Sequence, residues 1–279
     1  MKDALIVSRL SQGRDISGKS HGFTLIEMVI TIVIIGVLGV GISSFIGQTT
    51  KGMMDTAERQ KIASIAWIVS EKVSREFRHA LPNSIRTSVD LGSGDTCLEL
   101  IPTIAASDYL SVPILTAANS FEVVPFINYE AADVNTTQDR IAVYPNSITN
   151  LYNLPNPGTI SGLLNQLNAG VTPGARTVSL ALSHQFLGES PTKRFYVVQD
   201  PVMYCFSGLF LYRYSQYGFD ASLGLQNQTV IGNNVSSGTF DYTAGTLSRN
   251  AVVNIAFSIV GSNNESQAIN QEVQIRNVP

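Results

Sequence analysis

An α+β fold is what this 279-residue sequence predicts, with one long N-terminal helix packed on an antiparallel β-sheet. Three observations predict it. The stretch from Met28 to Ile46 is apolar except at Thr31, Ser43 and Ser44. Beyond it, Ile62, Ile65, Val69, Val73, Phe77 and Leu81 recur at spacings of three or four, the pattern of a helix with one apolar face. From Pro82 onward the chain turns to short β-forming runs separated by Asn, Ser, Thr, Gly and Pro. A sheet laid on the apolar stripe completes an α+β domain.

The first half of the helix, residues 23–47, reads as a transmembrane span. The segment from Met28 to Ile46 gives roughly 28 Å of helix against a hydrocarbon core of about 30 Å. Gly36, Gly39, Gly41 and Gly47 punctuate it, either loosening the helix or packing closely against another one. Residues 48–81 read as an amphipathic extension, with Lys61, Glu71, Lys72, Arg75 and Arg78 opposite the stripe. Glu71 with Arg75, and Lys72 with Glu76, stand at i, i+4 and are expected to pair. Pro82 ends the helix, because the residue before a proline is pushed out of the α region. Trp67 and Ile68 lie off the stripe and are expected to pack at the edge of the core, with contact to neighbouring molecules as the alternative.

Residues 82–279 form the β-rich head. Its expected strands are 84–89, 96–101, 121–127, 140–144, 177–183, 194–198, 203–206, 209–214, 252–260 and 272–276. Val253, Ile255, Phe257 and Ile259 alternate with Asn254, Ala256 and Ser258, and Val178, Leu180 and Leu182 alternate with Ser179, Ala181 and Ser183, as half-buried antiparallel strands do. The stretch 145–174 is rich in Asn, Pro, Gly and Leu without a clear period and reads as a long loop.

Residues 1–22 read as a leader. They carry Lys2, Arg9, Arg14 and Lys19 against Asp3 and Asp15, and their one apolar run, Ala4 to Val7, is too short for a secretory h-region. Positive charge on this side of the span predicts a cytoplasmic leader and a head across the membrane. Glu27 then stands at the head of the span, where an unpaired carboxylate costs several kcal/mol. No Lys, Arg or His lies between Phe23 and Gln48 to pair with it. A cut between Gly22 and Phe23 would create an α-amino group about one helical turn before Glu27 and supply the missing cation.

The run Gly22-Phe23-Thr24-Leu25-Ile26-Glu27 followed by this apolar segment resembles the type IV prepilins and the pseudopilins of type II secretion. The resemblance implies a pilin-like fold and cleavage after Gly22 by a prepilin peptidase. It also implies N-methylation of Phe23, and a role for Glu27 in docking against the amine of a neighbouring subunit. The implied partners are the peptidase, an inner-membrane assembly platform, other minor and major pilins met through the N-terminal helix, and the membrane itself. The implied location is the bacterial inner membrane, with one crossing and a periplasmic head, and later the pilus or cell surface. Segments 80–86, 211–214 and 273–279 look like those of minor pilins of the mannose-sensitive haemagglutinin type, the W-type minor pilins and the J-type pseudopilins. A large head also suits a minor subunit. A J-like pseudopilin, or a tip adhesin binding through 145–174, are the alternatives.

Cys97 and Cys205 are the two cysteines, both in the head. In an oxidising compartment one disulfide is the simplest reading, with free thiols or metal ligation as alternatives. No enzyme chemistry is expected. His21, His79 and His184 lack metal-ligand spacing, and the sequence contains no G-x-S-x-G and no Walker A loop. Gly39-Val40-Gly41 falls inside the span and is no nucleotide loop. Asp220, Asp241 and Glu265 could ligate calcium but read better as solvated turn residues, and no metal or cofactor is expected. The net charge is −3; removing the leader's four basic and two acidic side chains from 18 and 21 leaves 14 and 19, or −5. A mildly acidic chain of low charge density argues against nucleic acid as a partner, while leaving room for a small local basic patch.

Overall fold

Helix α1 (Leu25–Arg78) runs unbroken for 54 residues, across all of the glycines that could have loosened it. The computed structural model describes residues 22–87, 95–219, 227–246 and 249–276. The chain separates into two compact units, one ending at Met54 and one beginning at Asp55. In the first unit every described side chain is exposed, and a Cβ added at Gly36, Gly39, Gly41 or Gly47 would meet nothing within 4 Å. This half of α1 is long and apolar enough to cross a membrane.

In the second unit the same helix buries one face. Ile62, Ala66, Val69, Ser70, Val73, Ser74 and Phe77 are its buried residues, with Ile65 partly buried, so the apolar stripe lies where its spacing put it. The helix stops at Arg78, short of the expected 81. The amides of His79 and Ala80 bond back to Glu76 and Phe77 (3.1 and 3.2 Å), which tightens the last turn. Leu81, held out of the helix by Pro82, instead donates its amide to the Ile101 carbonyl at 2.8 Å and remains fully buried.

After the helix come β1 (Arg86–Thr87) and β2 (Thr96–Leu100). The chain then makes β3 (Thr103–Asp108), β4 (Ala118–Val123), β5 (Arg140–Val143), β6 (Ile160–Ala169), β7 (Arg176–His184) and β8 (Arg194–Val198). These six form one antiparallel sheet in the order β3-β8-β5-β6-β7-β4. Its two edge strands meet through a bridge between Tyr109 and Val123, with the Leu110 amide on Glu122 O (2.9 Å) and the Val124 amide on Asp108 O (2.8 Å). The sheet thereby closes into a small barrel filled by Phe121, Ile141, Leu164, Val178, Phe195 and their neighbours.

The barrel is an insertion. Where it ends, β9 (Val202–Ser207) returns to pair with β2, Leu100 opposite Val202 and Cys97 opposite Cys205. With β10 (Phe210–Tyr214) and β11 (Thr229–Asn233) this gives a five-stranded sheet, β1-β2-β9-β10-β11. The last strands, β12 (Val235–Thr243), β13 (Ala251–Val260) and β14 (Ser266–Ile275), form a separate three-stranded meander. The helix face packs against both sheets. Phe77 stands at the centre, with ring centroids 5.6 Å from Tyr204 and 5.9 Å from Phe240. Gly238 on β12 makes room for this: a Cβ there would lie 2.2 Å from the Phe206 ring. A third cluster, including Leu81, Ile101, Leu151, Tyr196 and Val198, joins the barrel wall to the helix end.

The expected α+β fold, one long helix packed on antiparallel sheet, is the observed one, with its strands divided between two sheets and a barrel. Two expectations are corrected. The long loop at 145–174 contains the ten residues of β6, whose register slips between Leu164 and Gln166, so its buried positions never alternate cleanly. On the helix surface, Glu71 meets Arg78 (3.7 Å) rather than Arg75, and Glu76 takes Arg213 of β10 (3.1 Å) rather than Lys72. The start of the helical segment in the head is held by the β13–β14 turn, through a bidentate Arg59–Glu265 pair (2.6 to 2.9 Å) and an Asn263 to Asp55 bond of 2.8 Å.

Buried tyrosines give the head a pH dependence. Burial pushes the hydroxyls of Tyr129, Tyr152, Tyr204 and Tyr217 well above the ordinary value. Tyr217 also donates to Glu99 (2.8 Å) and Tyr129 to Asp139 (2.6 Å), acceptors that oppose ionisation further. A raised pKa in the folded state means stability that is complete below the unfolded value of about 10 and lost as pH rises beyond it. The unfolding midpoint is expected to fall steeply above about pH 10, with tyrosinate absorbance of these four residues appearing only as the chain unfolds. Complete tyrosine ionisation in a folded chain would contradict this.

Candidate functional site

The start of α1 brings together the residues singled out at the N-terminus. Gly22, Phe23 and Thr24 precede the helix, and Phe23 is 83% exposed. Thr24 caps it. Its carbonyl accepts the Met28 amide at 3.2 Å, and its Oγ1 accepts the Glu27 amide at 3.3 Å. Glu27 is thus the third helical residue, and Thr24-Leu25-Ile26-Glu27 has the spacing of a capping box, a signal of the helix start that is legible in the sequence.

The position suits a carboxylate on local grounds. The free amides of the first turn give it a partial positive charge, which favours an anion at Glu27. The carboxylate itself makes no hydrogen bond or ion pair among the described residues, and Ile26 and Met28 beside it are exposed. An acid in an apolar segment with no partner among the described residues is available to a cation from another molecule. Gly22 tells the same story differently. A Cβ there would meet nothing within 4 Å, and its backbone is not left-handed, so the fold of this chain makes no demand for glycine at that position. Residues 1–21, with the leader's charges and His21, lie outside the described residues.

Cys97 on β2 and Cys205 on β9 are bonded, their Cα atoms 4.1 Å apart across the ladder. Both are fully buried with Met203 and Tyr217. Two residues along β2, the buried Glu99 holds Arg86 as an ion pair, and the Arg86 guanidinium also stacks over Tyr152, 3.7 Å from its centroid.

Elsewhere the structure separates candidates. His184 is buried at the barrel end with Nε2 3.1 Å from Gly158 O, while His79 sits at the end of α1. Among the described residues no group of three His, Cys, Asp or Glu converges. Glu265 is committed to Arg59, Asp241 lies on β12 opposite Asn254, and Asp220 is outside the described residues. Trp67 and Ile68 are 66% and 59% exposed rather than packed at the core edge. The helix turns them toward the open side of β14, where they form a shallow apolar patch with Ala63, Gln267 and Ile269.

No curated protein and no solved structure matches the chain. Residues 17–43 match the family described as the prokaryotic N-terminal methylation motif, a span that contains Gly22, Phe23 and Glu27. That match supports a prepilin-type N-terminus of the kind carried by type IV pilins and pseudopilins.

Proposed function

We propose that this chain is a minor type IV prepilin, cut after Gly22 and methylated at Phe23, that primes, assembles or tips a pilus of the mannose-sensitive haemagglutinin kind. It most resembles the O subunit of that pilus. The observation that carries the reading is the methylation-motif match over residues 17–43, together with a Glu27 carboxylate in the first helical turn that has no partner among the described residues. The helix crosses the inner membrane once, the leader stays in the cytoplasm, and the head folds in the periplasm before reaching the cell surface. The protein does no chemistry of its own. It is the substrate of the peptidase and methylase, and it meets the assembly platform and other pilins through α1.

The adhesin alternative would bind through what remains of 145–174 outside the barrel strand at residues 160–169. The J-like alternative predicts loss of exoprotein release, rather than of surface piliation, when the gene is removed.

Intact mass of the protein from its native membrane tests the reading. With the prepilin peptidase present, the chain is expected to begin at a methylated Phe23. Without it, or with Gly22→Val, the leader is expected to remain. A leader retained in every sample would reduce the chain to an anchored domain of another kind.

A further inference from the structure

A cleft of about 840 Å³ lies on the head where three parts of the fold meet. The end of α1 contributes Arg78, the first residue of β8 contributes Arg194, and the residue after β14 contributes Arg276. His79 lines the same space, and the acid within the lining is Asp108. So basic a convergence stands out in a chain of net charge −3. Among the described residues Arg194 and Arg276 make no salt bridge, and Arg78 has only the 3.7 Å contact with Glu71, in which both side chains are over 40% exposed. Such a pair is worth little. Asp108 stands opposite Arg194 in the β3–β8 ladder, so three guanidinium groups share the cleft with one carboxylate, and the field of the excess positive charge draws an anion.

The rest of the lining narrows what that anion is. Val124, Pro125 and Ile127 border the cleft, with Ile127 96% exposed and Val124 42% exposed. The Tyr196 ring in the lining is only 8% exposed, which leaves the His79 imidazole as the one exposed ring and makes no stacking platform of successive rings for bases. Guanidinium forks take carboxylates in bidentate pairs, and aliphatic surface beside them takes small apolar side chains. We propose that this cleft docks an acidic, extended polypeptide segment of a partner protein, with Glu or Asp side chains on the arginines and aliphatic side chains against Val124 and Ile127. The proposal does not rest on the reading of the N-terminus.

The test uses the full chain in an uncharged detergent and a fluorescent peptide alternating Glu and Val. Binding is expected, weakening as salt rises from about 50 to about 500 mM. Arg194→Glu with Arg276→Glu is expected to weaken it at least about tenfold, and exchanging Glu for Gln in the peptide is expected to do the same. Ile127→Asp places a like charge on the cleft wall at a side chain too exposed to affect folding, so it decides the matter if the arginine variants are unstable. Absence of binding, equal binding of the Gln peptide, or indifference to all three substitutions would overturn the proposal. Tighter binding of a heparin fragment or an oligodeoxythymidine than of the peptide would overturn its polypeptide occupant.

Discussion

Cys97→Ala is expected to lower the stability of the head by about 4 to 5 kcal/mol in the chain-entropy model, which for a domain of this size is a drop of roughly 10 to 20 °C in Tm. The bond closes a separation of 108 residues, and that loop contains the entire barrel. In the folded protein the two cysteines already face each other across the β2–β9 ladder, so the bond adds little to native geometry. Its effect falls on the unfolded chain, where it removes a long-loop closure from the entropy to be lost. Cys97→Ser should cost more than Cys97→Ala, because a hydroxyl at a fully buried position adds about 1 to 3 kcal/mol if it finds no partner. Thermal unfolding of both variants, and of the parent with and without reductant, checks the argument. A reduced parent that melts with the oxidised one would refute it.

Glu27→Gln is expected to leave processing intact and to reduce entry into filaments at least about tenfold when the variant competes with the parent chain. The carboxylate has no partner among the described residues, and the apolar surface around it is exposed. A neutral amide keeps the shape and loses the charge, leaving an incoming amine unpaired in a medium where that costs several kcal/mol. Glu27→Asp keeps the charge on a side chain one methylene shorter and should fall between the two. The readout is the ratio of variant to parent in sheared filaments against the same ratio in membranes. Equal ratios would leave Glu27 with no part in assembly.

Much of this was legible in the residues. The apolar stripe from Ile62 to Phe77 is the helix face that is buried, because a rigid 3.6-residue period maps directly onto one side. The alternation from Val253 to Ile259 matches β13, whose burial alternates over its whole length. What escaped notice had local causes. β6 and β12 carry Asn, Gln, Ser and Gly, and both contain register shifts that break the two-residue period. β3 is a run of small residues, Thr103-Ile104-Ala105-Ala106-Ser107-Asp108, with little hydrophobic signal. Leu182, counted as an inward residue, is 74% exposed on β7. Barrel closure depends on Tyr109 meeting Val123, and the basic cleft on Arg78, Arg194 and Arg276 meeting across the chain. No local pattern encodes either meeting.

Because Leu100 and Val202 are opposite each other in the ladder, the barrel leaves and rejoins the five-stranded sheet at neighbouring points. To that sheet, some hundred residues are equivalent to the tip of a hairpin. Their length can change, or a different module can stand in their place, without altering the register of β2 and β9 or the seat of the helix. What such an exchange must still satisfy is the apolar joint at Leu81, Ile101 and Leu151. The helix and its two sheets are in this sense a chassis, and the barrel is the part that can diverge while the chassis stays fixed.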